Sequence, residues 1–231
     1  MQLLRNILFY PAFYIGSALI VATVALLLTL GSRRRFRVVV DSWARWHRFC
    51  LTRILGVRVE IEGTIPTEGV LVALKHESFM EAIELPLLLH NPAVFVKQEL
   101  MRIPGWGYAA RSYGLVEVAR DQGAKALRHM LTMARARVSE GRLLAIFPEG
   151  TRVPHGTQPP LQSGFAGLYK LLGLPVVPIA VCSGPIYHHA LKRRGTIRLL
   201  VGEPIPPGLP REEIEALVHA AINRLNPPAG E

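Results

Sequence analysis

Apolar and polar positions follow two textures along this chain, which change near Gly56. From Asn6 to Ser32 no charged residue occurs, and "LIVATVALLLTL" is apolar almost throughout. A helix through this run is long enough to cross a hydrocarbon core of about 30 Å. Arg5 and the small Ala22 give it some features of a cleaved leader. The length of the run and the "RRRFR" at its end argue against cleavage. A buried core helix is the remaining alternative. The next stretch, "DSWARWHRFCLTRIL", is basic and amphipathic. At a helical advance of about 100° per residue, Trp43, Trp46, Cys50 and Ile54 share one side, with Arg45 and Arg48 opposite. Aromatics facing away from arginines suit a headgroup boundary and equally suit packing onto a domain; the adjoining apolar run favours the membrane. Residues 1–55 therefore predict a helical membrane anchor, spanning or lying in the interface, distinct from residues 56–231. Arg33, Arg34, Arg35 and Arg37 would hold the following chain on the cytoplasmic side.

From Gly56 onward short apolar runs alternate with helical patterns. "VRVEIEG" has period two and predicts a half-buried strand, while "GVLVAL" predicts a buried one. "FMEAIELPLLL" predicts a helix that Pro86 should shorten or kink. "AVFVK", "GLVEV", "RLLAIF", "VVPIAV" and "TIRLLVG" follow as strands. Helices are expected over 122–139, over "GFAGLYKLL" up to Gly173, and over 211–224. Strands alternating with helices indicate an α/β fold with a mostly parallel, mixed sheet flanked by helices. The short, uneven returns suggest some antiparallel pairing. No repeat or low-complexity linker divides this part.

Charge changes the picture through its placement. The chain has 27 Lys and Arg against 17 Asp and Glu, a formal +10. Residues 1–60 hold nine arginines and two acids, so +7 of that charge lies there. Such basicity often signals nucleic acid. Flanking an apolar run, it points instead to an anionic membrane surface. Cys50 and Cys182 have neither metal-ligand spacing nor a disulfide framework, and are expected as reduced thiols.

The chemistry is concentrated at strand ends. In "KHESFMEAIE", Ser78 and Glu81 have the S-x-x-E spacing of a helix capping box. On this stretch alone the cap is the commoner reading, and pairing of His76 with Glu81 for proton transfer is the alternative. Ligand sites in open α/β sheets lie outside the carboxyl ends of the strands. His76 follows one predicted strand, Arg120 another, and "FPEGTR" (residues 147–152) a third. Capping alone does not predict that convergence, and it favours catalysis. His129, His155, His188 and His189 have no partner spacing and are expected at the surface; no metal constellation is evident.

These residues resemble the four ordered blocks of the glycerolipid acyltransferase family, most closely its bacterial 1-acyl-sn-glycerol-3-phosphate acyltransferases. His76 to Glu81 matches the His-x4-Asp block, with glutamate in place of aspartate. "KQELMRIPGWGYAARSYGLVEVAR" is similar to the second block, where Gly114 and Arg120 match and Ala119 replaces an aspartate. "FPEGTR" is the third block unchanged, and "VVPIAV" around Pro178 resembles the fourth. Gln162 and Ser163 stand where relatives often carry a basic pair.

The resemblance implies acyl transfer from a thioester of coenzyme A or acyl-carrier protein to the sn-2 hydroxyl of lysophosphatidic acid, with no other cofactor and no metal. His76 would be the base and Glu81 its orienting carboxylate. The acceptor supplies the nucleophile, so no enzyme serine or cysteine is needed. Arg120 and Arg152 would grip phosphate, because a guanidinium matches it bidentately. Lys97 could face the phosphates of donor or acceptor. Glu149 would hold a glycerol hydroxyl or order its turn, and Gly150 and Thr151 would let the backbone approach the ligand. A basic membrane module without catalysis would need neither His76 nor "FPEGTR". Acyl transfer to glycerol-3-phosphate or a lyso-aminolipid is the nearer alternative.

Overall fold

The computed structural model describes residues 1–29, 33–118 and 123–227, without the side chains of 24, 25, 27–29, 33–36 and 123–126. Two helices open the chain, α1 (Gln2–Thr29) and α2 (Arg33–Phe49), the latter continued by a π-helical turn at Cys50–Ile54. Seven strands follow: β1 (Arg58–Glu62), β2 (Leu71–Leu74), β3 (Ala93–Lys97), β4 (Val116–Val118), β5 (Leu144–Ile146), β6 (Val176–Cys182) and β7 (Thr196–Val201). Between and after them run α3 (Phe79–Leu89), α4 (Gln98–Met101), α5 (Trp106–Tyr113), α6 (Gly123–Ser139), α7 (Gly164–Leu172) and α8 (Arg211–Ile222).

The strands form one mixed sheet in the order β1-β7-β6-β2-β5-β3-β4. Every neighbouring pair is parallel except β6–β7. That pair is the antiparallel return expected from the short connections. Side chains alternate across β2, as the pleat requires. Val72 and Leu74 join Met80, Leu85 and Leu89 of α3 on one face. Leu71 and Ala73 join Phe165 and Tyr169 of α7 and Val218 of α8 on the other. The register Ala73↔Ile146 ends β2 and β5 level, so Lys75 and His76 emerge beside Phe147 and Pro148.

Three expectations are corrected. Pro86 neither ends nor shortens α3, which runs on to Leu89. Pro86 is buried within the helix, which goes without that one amide donor. The helix stops instead at His90 and Asn91, both left-handed at φ 49° and 67°. Buried Arg142 braces this turn by donating to the carbonyls of Asn91 (3.0 Å) and Pro92 (2.8 Å). Helices α4 and α5 and the π-helical turn Gly184–His188 are elements the sequence pattern had not indicated.

The third correction concerns the aromatic face of α2. It packs inward rather than toward headgroups. Trp43 stacks on Phe13 and donates from Nε1 to Ser17 Oγ at 2.9 Å. Trp46 donates to the Ala12 carbonyl at 3.2 Å and lies so close to Gly16 that a Cβ there would clash. Nor does Arg48 simply face solvent, since it pairs with Glu84 of α3. Buried His47 contacts Glu84 Oε1 (2.6 Å) and Tyr187 Oη (2.9 Å). Phe9, Phe13, Leu51 and Leu55 share a core with β2 and α3, so apolar packing crosses residue 55 without a break.

Helix α1 has two sides. Its inner side is fixed by polar groups: Arg5 donates to the Ile54 carbonyl (2.9 Å), and Asn6 both donates to and accepts from the Lys192 backbone (2.9 and 2.8 Å). Its outer side exposes Leu4, Leu8, Ile15, Leu19 and Leu26. It is the one helix, among the described residues, long and apolar enough to cross a membrane.

Candidate active site

Strand β2 ends at Leu74, two residues before His76, and the chain turns into α3 at Ser78. Ser78 has extended backbone and accepts from the Met80 amide, while Glu81 returns to the Ser78 amide at 2.8 Å. The capping box is therefore present. The same Glu81 Oε2 lies 3.0 Å from Nδ1 of His76. Capping and histidine pairing, alternatives in the sequence, are carried out together by one carboxylate.

The other oxygen, Oε1, accepts from Ser78 Oγ (3.0 Å) and from Ser183 Oγ, and the two hydroxyls are 2.8 Å apart. Glu81 is thus buried and hydrogen-bonded at both oxygens, with a single aromatic N–H among its donors. A carboxylate acceptor places the imidazole proton on Nδ1, leaving Nε2 as the basic nitrogen. No hydrogen bond to Nε2 occurs among the described residues. The His76 side chain is 14% exposed, and its ring stacks on Phe147 with centroids 4.0 Å apart. One edge is fixed, one face is covered, and one nitrogen can reach a ligand.

"FPEGTR" follows β5 and supports His76 from the neighbouring strand end. Glu149 is buried with both oxygens committed: Oε1 to Lys75 Nζ at 2.6 Å, Oε2 to the His76 amide at 3.1 Å. These bonds tie the loop to the chain just beyond β2. Lys75 is fully buried and also donates to Asn223 Oδ1 (2.8 Å) and the Thr157 carbonyl (3.2 Å). Val153 donates to the His76 carbonyl at 2.7 Å, so the loop holds the histidine backbone from both directions. Gly150 takes φ 66°, a left-handed turn that costs a residue with a Cβ. Thr151 and Arg152 are exposed beyond that turn. The Arg152 guanidinium lies 3.8 Å above the Phe79 ring, at the start of the helix that holds Glu81.

Lys97 ends β3, opposite Val118 of β4, half-buried and without an ion pair among the described residues. Arg120 lies outside the described residues; β4, which precedes it, ends on the same rim. The rim is thus built by β2, β5, β3 and β4, four adjacent parallel strands. Two of the histidines expected at the surface have partners: His155 is half-buried, while His188 is exposed as expected. His155 Nδ1 meets Glu77 Oε1 at 2.9 Å, and His188 Nδ1 meets the Glu77 carbonyl at 2.9 Å. Burial raises the Glu77 carboxyl above its ordinary range, although N–H donors of Gly184, His155 and Ser183 oppose this. Sequence reasoning missed Lys75, Phe147 and Ser183. Only Lys75 carried a signal, as an ionisable residue directly after a buried strand.

A histidine–carboxylate pair at the strand ends of an open α/β sheet, beside an arginine-bearing glycine turn, fits an enzyme that uses a general base. The profile of the Acyltransferase family matches residues 56–182, and the chain belongs to that family. It is 30% identical over 207 residues to the 1-acyl-sn-glycerol-3-phosphate acyltransferase of Pseudomonas aeruginosa, covering 87% of this chain and 80% of that one. It is 26% identical over 217 residues to the human alpha form of an enzyme with the same name, covering 90% and 76%. The crystal structure of the 1-acyl-sn-glycerophosphate acyltransferase of Thermotoga maritima superposes over the whole of both chains with a TM-score of 0.73 at 23% identity, which shows the fold is shared.

Proposed function

We propose that this chain transfers the acyl group of coenzyme A or acyl-carrier protein thioesters to the sn-2 hydroxyl of 1-acyl-sn-glycerol-3-phosphate, making phosphatidic acid. The observation that carries the reading is the 3.0 Å contact between His76 Nδ1 and Glu81, which leaves Nε2 as the base. The names of the bacterial and mammalian relatives supply the acceptor. Nε2 removes the hydroxyl proton as the oxygen attacks the thioester carbonyl. The imidazolium is stabilised by Glu81, and the tetrahedral intermediate collapses with the thiolate leaving. That thiolate takes the proton back from Nε2, so the enzyme ends as it began. Arg152, Arg120 and Lys97 bind phosphate, and the Gly150–Thr151 turn brings backbone close to it.

The acceptor is a membrane lipid, and the outer side of α1 fits that setting. We infer that α1 lies with Leu4, Leu8, Ile15, Leu19 and Leu26 in the acyl-chain boundary of an anionic leaflet, the sheet facing the cytoplasm from the inner membrane. The polar bonds on its inner side hold its first turns to the domain, which favours lying in the interface over a free span.

The test crosses lysophosphatidate, glycerol-3-phosphate and a lyso-aminolipid with both thioester donors, using the purified full chain. Turnover is expected with lysophosphatidate. Preference for another acceptor would overturn the assignment.

A further inference from the structure

We propose that Glu77, His155 and Cys182 form a site for a thiophilic divalent cation of the zinc class, next to the acyl-transfer residues. Their ligating atoms, one from each side chain, all lie within 4.8 Å of one another. The sequence hides this, because the three residues are far apart along the chain and have no ligand spacing. Tertiary structure unites them: Glu77 follows β2, His155 lies in the loop after β5, and Cys182 ends β6.

The donor set decides the class of ion. Thiolate, imidazole and carboxylate together suit zinc, whereas magnesium and calcium prefer all-oxygen shells. The carboxylate is also oriented in advance. Glu77 Oε2 accepts from the amides of Ser183 (2.8 Å) and Gly184 (2.7 Å), while Oε1 meets His155 Nδ1 at 2.9 Å. Outer contacts of this kind are what fix a ligand's direction at metal sites. Glu77 is fully buried, but the His155 side chain is 29% exposed and provides an entry path. Three protein ligands leave the fourth tetrahedral position to water. Binding replaces the Glu77–His155 hydrogen bond, forms a metal–sulfur bond, and releases the thiol proton to solvent.

Each ligand is close in the chain to an acyl-transfer group: Glu77 to His76, His155 to Arg152, Cys182 to Ser183. An ion here would clasp three strand ends together beneath the rim. The site does not depend on the identity of the acyl acceptor.

The test is titration of the metal-free full chain in detergent with cobalt(II), then zinc. One cobalt per chain is expected, with thiolate-to-metal charge-transfer absorption that zinc abolishes. Cys182→Ser should lose that absorption, and His155→Ala should weaken binding at least tenfold. In the unmodified protein, zinc should slow alkylation of Cys182, mapped by peptide, and raise the melting temperature. This second measurement needs no variant to fold. Absence of binding, cobalt binding without the charge-transfer band, a band unchanged in Cys182→Ser, or alkylation indifferent to zinc would each overturn the proposal.

Discussion

Glu81 Oε2 is 3.0 Å from Nδ1 of His76 and, at the same time, 2.8 Å from the amide of Ser78. The spacing between the two residues follows from the cap. The cap residue is Ser78, its partner three positions on is Glu81, and His76 stands two residues before the cap and two beyond the end of β2. A capping box at this strand end delivers a carboxylate to a histidine five residues upstream. Base and helix are thereby coupled, and displacement of α3 would misplace Nε2.

Ser183 fixes the far side of that carboxylate through its hydroxyl. Ser183→Ala should leave the fold intact and remove a hydrogen bond worth about 1 kcal/mol. The expected result is a fall in kcat of about fivefold, with the KM for both substrates little changed. An unaltered kcat would mean the Ser78 cap alone positions Glu81.

Lys75 and Glu149 are both fully buried, 2.6 Å apart. Replacing Lys75 with Met strands a carboxylate in the core and should cost about 3–5 kcal/mol, read as a lower melting temperature. Combining it with Glu149→Leu should recover most of the loss. A residue of about 1 kcal/mol should remain, because the His76 amide still lacks its acceptor. Additive losses would contradict the pairing.

The alternation of apolar runs was enough to place all seven strands, since each strand is short, apolar and bounded by turn residues. The rim was legible too, because His76, Lys97 and "FPEGTR" each follow such a run. What stayed hidden is what tertiary contact decides. Trp43 and Trp46 have an amphipathic pattern that fits lipid or protein equally, and only the presence of Phe13, Ala12 and Ser17 opposite them selects protein. Glu149 carries no mark in the sequence that distinguishes a ligand-binding acid from one buried against Lys75. Ser183 and His155 find their partners across more than seventy residues of chain.

Lys192 bears on pH dependence. Burial lowers its ammonium from the ordinary 10.5 to about 8, and the amine donates to the carbonyls of Tyr187 (2.8 Å) and His189 (3.0 Å). Between those two values the unfolded chain holds a proton that the folded one has released, so this group makes stability rise with pH. Its contribution is lost as pH falls through about 8. Melting temperatures of wild type and Lys192→Met should diverge in favour of wild type as pH increases across this window. Parallel profiles would remove the assignment.

Arg152 rests on the exposed Phe79 ring, with no ion pair among the described residues, and can turn toward a phosphate. Arg152→Ala should remove about 1.5–3 kcal/mol of charged hydrogen bonding. That corresponds to about tenfold or more in kcat/KM for the acceptor, with the donor's KM little affected. Arg152→Lys should restore part of it, lacking the bidentate fork. A defect confined to the donor would move Arg152 to the thioester side.

The central claim is that the Glu81 charge serves catalysis as well as the helix. Glu81→Gln separates the two. Its amide oxygen can still accept from Ser78 and His76, and its NH2 can donate to the Ser78 and Ser183 hydroxyls, so the cap survives. Only the charge that stabilises the imidazolium is gone. The measurement is kcat of purified Glu81→Gln with lysophosphatidate and an acyl thioester, beside its melting temperature. A fall of at least about a hundredfold in kcat, with melting close to wild type, is the predicted result. Near-normal turnover would return Glu81 to the helix cap alone and leave His76 without its partner.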